Sequence, residues 1–208
     1  MLLRRLASLL APPLCAACGC VAGELEPLCL GCRSTLRWLG PTPAAAAGVP
    51  VWAPVAYDGP ARALVRSLKF GGLPRMAATM ASQMAANAPP GWLDSGALVP
   101  VPLHPARLRK RGYNQAERLV AELSARTGLP VADCLERSGE AATQVGRGRT
   151  ERLASTAGRV SVREGATLPG ELVLVDDVVT TGATLAACAA ACPGARLRAI
   201  AYARTPGR

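Results

Sequence analysis

Histidine occurs once in this sequence and phenylalanine once, and no apolar run approaches the ~20 residues that a membrane-spanning helix needs. Each shortage excludes something. Nothing pairs His104 with a nucleophile, so no histidine-activated serine or cysteine is readable; a lone histidine is ordinarily structural. Three tryptophans, three tyrosines and the single phenylalanine leave the core to be built from Ala, Leu and Val. The same scarcity speaks against reading a nucleic-acid sequence by stacking on its bases. No internal repeat is visible. The start, Met1 to Leu10, has only a short apolar part, is stopped by Pro12-Pro13 and lacks a small-residue cleavage site. A short amphipathic helix docked on the protein is expected there. The expected location is the cytoplasm, with peripheral contact at the inner face of the membrane as the alternative.

What is present is a chain of 208 residues, half of them apolar. That is enough for one domain of about 150 residues and a small appendage. The formal net charge is +10 and the isoelectric point about 9.8. Such a surface favours nucleotides, nucleic acid or an anionic membrane, or is simply basic without a specific partner.

One stretch organises the rest. Leu172-Val173-Leu174-Val175 reads as a buried strand, and Asp176-Asp177 follow where it is expected to end. Val178-Val179 lead into Thr180-Thr181-Gly182-Ala183-Thr184, which opens an Ala-rich helix. In a parallel sheet, ligands bind where strand ends feed helix N-termini, and those N-termini favour phosphate. Thr180, Thr181 and Thr184 add hydroxyl donors, and Gly182 allows close backbone approach. The two carboxylates repel phosphate but can accept hydrogen bonds from the hydroxyls of a ribose. No lysine follows the glycine as in a Walker loop, and the pattern is not G-x-G-x-x-G. The stretch reads as a holder for a ribose 5-phosphate.

Five of the eight cysteines crowd the N-terminal region. Cys15-x2-Cys18 and Cys29-x2-Cys32 form two matched knuckles, the spacing of a closed, structural, tetrahedral zinc site. Cys20 is a spare that could replace Cys18. The alternative is a loop of reduced cysteines. Gly40 to Pro50, with four consecutive alanines, reads as a linker. The expected division is a zinc-knuckle module with linker over residues 1–50 and a main domain over 51–208.

Along the main domain, Val51 to Tyr57 reads as a strand, followed by a helix with Pro60 near its start and Leu64, Val65 and Leu68 on one face. Lys69 ends that helix, as a phosphate contact or as a cation favoured by the helix dipole. Met76, Met80 and Met84 form a core stripe. Ala97 to Val101 reads as a strand, and Arg107-Leu108-Arg109-Lys110-Arg111 as a basic loop after it, either a solvated charged face or, beside a phosphate cradle, a pyrophosphate contact. Asn114 to Glu117 resembles a capping box, with Gly128 as the helix stop. Leu135 to Arg159 reads as a mobile loop or flap, or equally as a hairpin without a role, Val160 to Val162 as a short strand and Arg196 to Ala203 as the last one. Cys188 and Cys192 are expected to be buried packing.

Nearly the whole chain resembles the ComF/GntX family of competence-associated, phosphoribosyltransferase-like proteins. The matching residues are the cysteine cluster, Tyr57 with Gly59, Leu68-Lys69-Phe70, Val99-Pro100-Val101-Pro102-Leu103-His104, Arg107-Leu108-Arg109, Arg111-Gly112-Tyr113-Asn114-Gln115, Gln144, Arg149, Arg152 and the terminal motif. The resemblance implies a type I phosphoribosyltransferase fold, an α/β domain with a parallel sheet of about five strands between helices. It implies phosphoribosyl pyrophosphate (PRPP) as ligand, with Mg²⁺ carried by it. Asp176 to Thr184 would hold ribose and phosphate; Lys69, His104, Arg107, Arg109 and Arg111 would hold pyrophosphate; Gln144, Arg149 and Arg152 would close as a flap. Two functions follow from it: a phosphoribosyltransferase whose acceptor and general base are not readable, or a PRPP-sensing module that contacts single-stranded DNA. Helicase or translocation proteins of the competence machinery are the expected partners.

Overall fold

A computed structural model describes residues 13–23, 26–71, 74–138 and 159–206. The expected N-terminal helix and the flap residues Gln144, Arg149 and Arg152 lie outside that set.

The centre of the sheet is a parallel pair of nine-residue strands, β7 (Glu171–Val179) and β8 (Arg196–Arg204). On the far side of β7 lies β4 (Ala97–Pro100), and on the far side of β8 lie β2 (Val49–Trp52) and β3 (Val55–Ala56), all parallel. Antiparallel to β2 runs β1 (Ala44–Ala46), which completes the order β1-β2-β8-β7-β4. A mostly parallel sheet has to be covered on both faces, which is why its central strands are near-continuous apolar runs. Helices α2 (Gly59–Phe70), α3 (Pro74–Asn87) and α5 (Gln115–Thr127) cover one face. Their residues Leu64, Leu68, Met80, Met84 and Leu123 pack with Val173, Val175 and Tyr202. Helix α6 (Ala183–Ala191) covers the other, where Leu185 and Cys188 meet Leu172, Leu174 and Ala201. The same cluster takes in Leu135 and Val160 of a separate two-stranded antiparallel sheet, β5 (Leu135–Arg137) and β6 (Val160–Val162). Each fully buried Leu or Met contributes on the order of 1.5–3 kcal/mol. The methionine stripe and the two late cysteines are buried, as expected.

Four expectations change. The strand read over Val51–Tyr57 is two strands, β2 and β3, separated at Ala53-Pro54, where proline has no N–H for a ladder. The alanine run read as a linker is β1. It turns back on β2 through Ala47 (φ 50°) and Gly48 (φ 81°), two left-handed residues as a tight hairpin requires. Alanine carries no strand signature of its own, so the hydrogen bonds of β2 decide the outcome. The basic run is a helix rather than a loop, α4 (Pro105–Arg111), started by Pro105 and stopped by Gly112 at φ 80°. Asp176 and Asp177 lie inside β7 rather than after it, because β8 pairs with β7 as far as Val179.

The four-cysteine segment, with its short helix α1 (Leu30–Ser34), does not stand apart from the core. Cys15, Leu28 and Leu36 are buried in the same cluster as Leu64 and Met80.

Candidate functional site

Strand β4 stops at Pro100, while β7 runs on to Val179. The chain after β4 turns away through Val101-Pro102-Leu103 into α4, and a cavity of about 260 Å³ opens between that segment and the end of β7. Asp176, Asp177, Val178, Thr180 and Thr184 form one side of it; Lys69, Arg107, Arg111 and Arg137 supply the cations.

Beyond the carboxylates the chain makes a tight turn. Gly182 has φ 79°, and a Cβ at this position would lie 2.7 Å from the Ala46 backbone carbonyl carbon. Only glycine fits there, on both conformational and steric grounds. Gly182 is the N-cap of α6 and provides no side-chain cap, so the helix start is left to other acceptors. Thr181 Oγ1 accepts from the Ala183 amide at 3.4 Å. A small hollow of about 40 Å³ lies against this turn, lined by Asp176 and by every residue from Val178 to Leu185. Backbone N–H groups, threonine hydroxyls and the positive end of a helix suit an anion at this point.

Asp177 is buried, with its Oδ2 3.0 Å from Lys69 Nζ. The contact is Coulombic rather than an aligned hydrogen bond, for that oxygen has no hydrogen-bond partner among the described residues. Asp176 Oδ1 accepts from the Asp177 amide at 2.7 Å. Burial, and then the charge of Asp177, push the Asp176 carboxyl well above the usual carboxylate range. Burial lowers the Arg137 guanidinium somewhat, and neighbouring Arg107 adds to that. The cavity is thus divided, with hydrogen-bond acceptors on the strand side and cations opposite.

Arg111 to Gln115 frame the cations. Gly112 ends α4 in the left-handed conformation. The Arg111 guanidinium donates to Gln115 Oε1 and lies 5.5 Å from the centroid of the Phe70 ring. Tyr113 Oη donates to the carbonyl of Leu68, next to Lys69. Asn114 caps α5 by accepting from the Ala116 amide at 3.1 Å, while its Nδ2 donates to Val101 O at 3.0 Å. This one block therefore joins the end of α2, the end of β4 and the start of α5.

The residues expected for ribose and phosphate, Asp176 to Thr184, all border one hollow or the other: Asp177 lines only the larger, and Val179, Thr181, Gly182 and Ala183 line only the smaller. Of the expected pyrophosphate residues, Lys69, Arg107 and Arg111 are brought together. Arg107 and Arg111 share a face of α4 by their four-residue spacing. Arg109 points elsewhere and is exposed, and His104 is the N-cap of α4, its Nδ1 accepting from the Ala106 amide at 3.2 Å. Sequence reasoning missed Gln115, Tyr57 and Arg137 as lining residues. Tyr57 carried a signal, since it ends a strand, but Arg137 belongs to a strand that was read as part of the flap.

The four knuckle cysteines form the second candidate centre. The Sγ atoms of Cys15, Cys18, Cys29 and Cys32 all lie within 4.8 Å of one another, and Cys18 Sγ is 3.7 Å from Cys29 Sγ. Tetrahedral zinc with Zn–S bonds of about 2.3 Å needs sulfurs about 3.8 Å apart, so the set could hold such a metal. Burial works against ionising Cys15, but backbone N–H groups of Cys29, Cys18 and Ala17 outweigh it and bring the thiol down to about 6. Hydrogen bonding with Cys18 and then burial hold Cys32 up. Cys20 is exposed and outside the group.

No protein-family model matches the chain. The competence protein ComFC of Streptococcus pneumoniae is 39% identical to it over 87 residues, 42% of this chain and 37% of that protein. Competence protein F of Haemophilus influenzae is 36% identical over 92 residues, 43% of this chain and 40% of that protein. The chain spans about two fifths of the length of the curated relatives it matches. Over that share, and in the cysteine cluster and the Arg-Gly-Tyr-Asn-Gln block, the chain is similar to competence proteins of the ComF type.

Proposed function

We propose that the chain is a PRPP-binding protein of the phosphoribosyltransferase type, with the type I fold, acting in competence and DNA uptake. One observation carries the reading: a cavity with two strand-borne carboxylates and a Thr-Thr-Gly-Ala-Thr helix start with glycine at its N-cap on one side faces Lys69, Arg107, Arg111 and Arg137 on the other. PRPP has hydroxyls between two anionic ends, and this order of groups is its complement. Asp176 and Asp177 accept from the ribose hydroxyls, Asp177 through an oxygen that has no hydrogen-bond partner among the described residues. The turn from Thr180 to Thr184 holds the 5-phosphate, and the four cations hold the pyrophosphate. Bound Mg²⁺ would neutralise further charge on that group. Positive charge fixed around a departing pyrophosphate lowers the barrier to its loss without reorganisation. The acceptor is left open.

Zinc at Cys15, Cys18, Cys29 and Cys32 is read as structural, because four thiolates close the shell. No helix among the described residues is long and apolar enough to cross a membrane, and we place the protein in the cytoplasm beside the helicase and translocation proteins of competence.

Titration calorimetry with PRPP and Mg²⁺ tests the reading. Micromolar binding is expected, weakened at least about tenfold in Arg111→Ala, where a charged hydrogen-bonding group is lost. Absence of binding at millimolar PRPP by a folded, zinc-loaded protein would falsify it. Isotopic PRPP turnover against a panel of nucleobases then separates an enzyme from a sensor.

A further inference from the structure

Helix α2 buries Leu64, Val65 and Leu68, and its outward side carries two rows of residues at four-residue spacing. Gly59, Ala63, Ser67 and the capping Gly71 form a row of small side chains; Arg62, Arg66 and Phe70 form a row of large ones. Both rows line an open groove of about 820 Å³ that reaches Ala16-Ala17 of the four-cysteine module. The small row runs about 18 Å along the helix axis. Such a row is a channel in a helix surface, and a ridge of side chains on a second helix fits into it. Arg62 and Arg66 are exposed, one turn apart, and form no ion pair among the described residues. The acid nearest the helix start, Asp58, makes no cap hydrogen bond and is engaged by Arg37 at 2.7 Å. The positive end of α2 therefore opens onto the same groove at Gly59. Phe70, the chain's single phenylalanine, is 74% exposed at the other end, with the Arg111 guanidinium 5.5 Å from its ring centroid.

We infer that this groove docks an acidic amphipathic helix of another protein, with two carboxylates one turn apart on Arg62 and Arg66 and an apolar side chain on Phe70. A helix in a groove is recognised through anchors that recur at three- and four-residue spacing, which is how the cations and the ring recur here. Carboxylates spaced i and i+4 on the incoming helix are neighbours on its surface and meet both arginines at once. The floor of Gly, Ala and Ser lets the two helix backbones approach closely, so that the apolar residue reaches the ring. The occupant is not a second copy of this chain, because two surfaces of net charge +10 repel. A ligand held by charge and ring alone would gain nothing from the small row, so bulk placed in that row tells the two apart. The groove shares no lining residue with the cavity between Lys69 and Asp177, and the inference stands apart from the PRPP reading.

The test is fluorescence anisotropy with the full zinc-loaded chain and a labelled peptide of Glu-Ala-Ala-Leu repeats, about 16 residues long so that it can be helical. The control peptide has lysine in place of glutamate. Binding at about 1–100 μM is expected for the acidic peptide, and at least about tenfold weaker binding for the basic one. Phe70→Ala is expected to weaken the acidic peptide roughly 10- to 100-fold, as loss of an aromatic anchor does. Arg62→Ala/Arg66→Ala is expected to weaken it roughly 5- to 30-fold and to flatten its salt dependence, while leaving PRPP binding unchanged. Ala63→Leu keeps every charge and the ring but fills the small row, and is expected to weaken it at least about tenfold. The inference is overturned if the basic peptide binds as tightly, if the acidic peptide does not bind at about 1 mM, or if the arginine and phenylalanine variants bind as the parent does. It is equally overturned if Ala63→Leu leaves binding intact, which would assign the groove to a ligand held by charge and ring alone.

Discussion

Adjacent residues of a strand face opposite sides of the sheet, so Asp176 and Asp177 meet different partners. Asp177 is on the side of α2 and has Lys69 at 3.0 Å. Asp176 Oδ1 accepts its neighbour's amide, and its carboxyl is raised by burial and by Asp177. A raised carboxyl means that, between its ordinary and its raised value, the folded chain holds a proton that the unfolded chain has released. Stability therefore declines as pH rises through that window. Asp176→Asn keeps the Oδ1 acceptor and removes the charge. Its melting temperature near neutral pH is expected to rise by about 2–4 °C, equivalent to ~1 kcal/mol, with a flatter pH profile. Its affinity for PRPP falls at least about tenfold. Thermal melts from about pH 4 to about pH 8 with parallel calorimetry check both; a lower melting temperature at neutral pH would count against the assigned environment. At this scale the sequence was informative. Two acids before a Thr-Thr-Gly turn announce their chemistry by type, whereas the pairing of Asp177 with Lys69, more than a hundred residues away, follows from topology alone.

Two contacts between elements set the shape of the site. Gly182 touches β1, so Gly182→Ala combines a left-handed alanine with a clash against backbone that cannot swing aside. A loss of about 3 kcal/mol is expected in chemical denaturation, with PRPP binding impaired in whatever fraction folds. Tyr113 ties the start of α5 to the carbonyl beside Lys69. Tyr113→Phe is expected to cost about 1 kcal/mol and to weaken PRPP binding several-fold while leaving secondary structure intact. An affinity equal to that of the parent would show that the tie does not position Lys69. Elements were unevenly legible. Long apolar stripes such as Leu119-Val120-Leu123 identified helices directly, because burial on one face is written into their period. The alanine strand and the basic helix were not, since neither has an apolar stripe. One depends on a partner strand and the other on a cap at His104 and a stop at Gly112.

For the molecule as a whole, the cysteine module and the sheet domain share one apolar cluster through Cys15, Leu28 and Leu36. Metal loss should therefore disturb the entire fold and not only the knuckles. Chelation is expected to release about one equivalent of zinc and to lower the melting temperature by at least about 5 °C within a single calorimetric transition. A low-temperature transition that disappears separately would indicate an independent module. The cavity itself has a further consequence. In the β4–β7 register, where the Val101 amide donates to Val175 O at 3.0 Å, the next rung would run from the Asp177 amide to the Val101 carbonyl. Both groups are instead taken by side chains: Asp176 Oδ1 receives the amide, and Asn114 Nδ2 fills the carbonyl. The two strands can part at this point without orphaning a backbone group. The sheet is unzipped by substitution, one side-chain bond for each half of the missing rung, and the cavity is the gap that this exchange leaves.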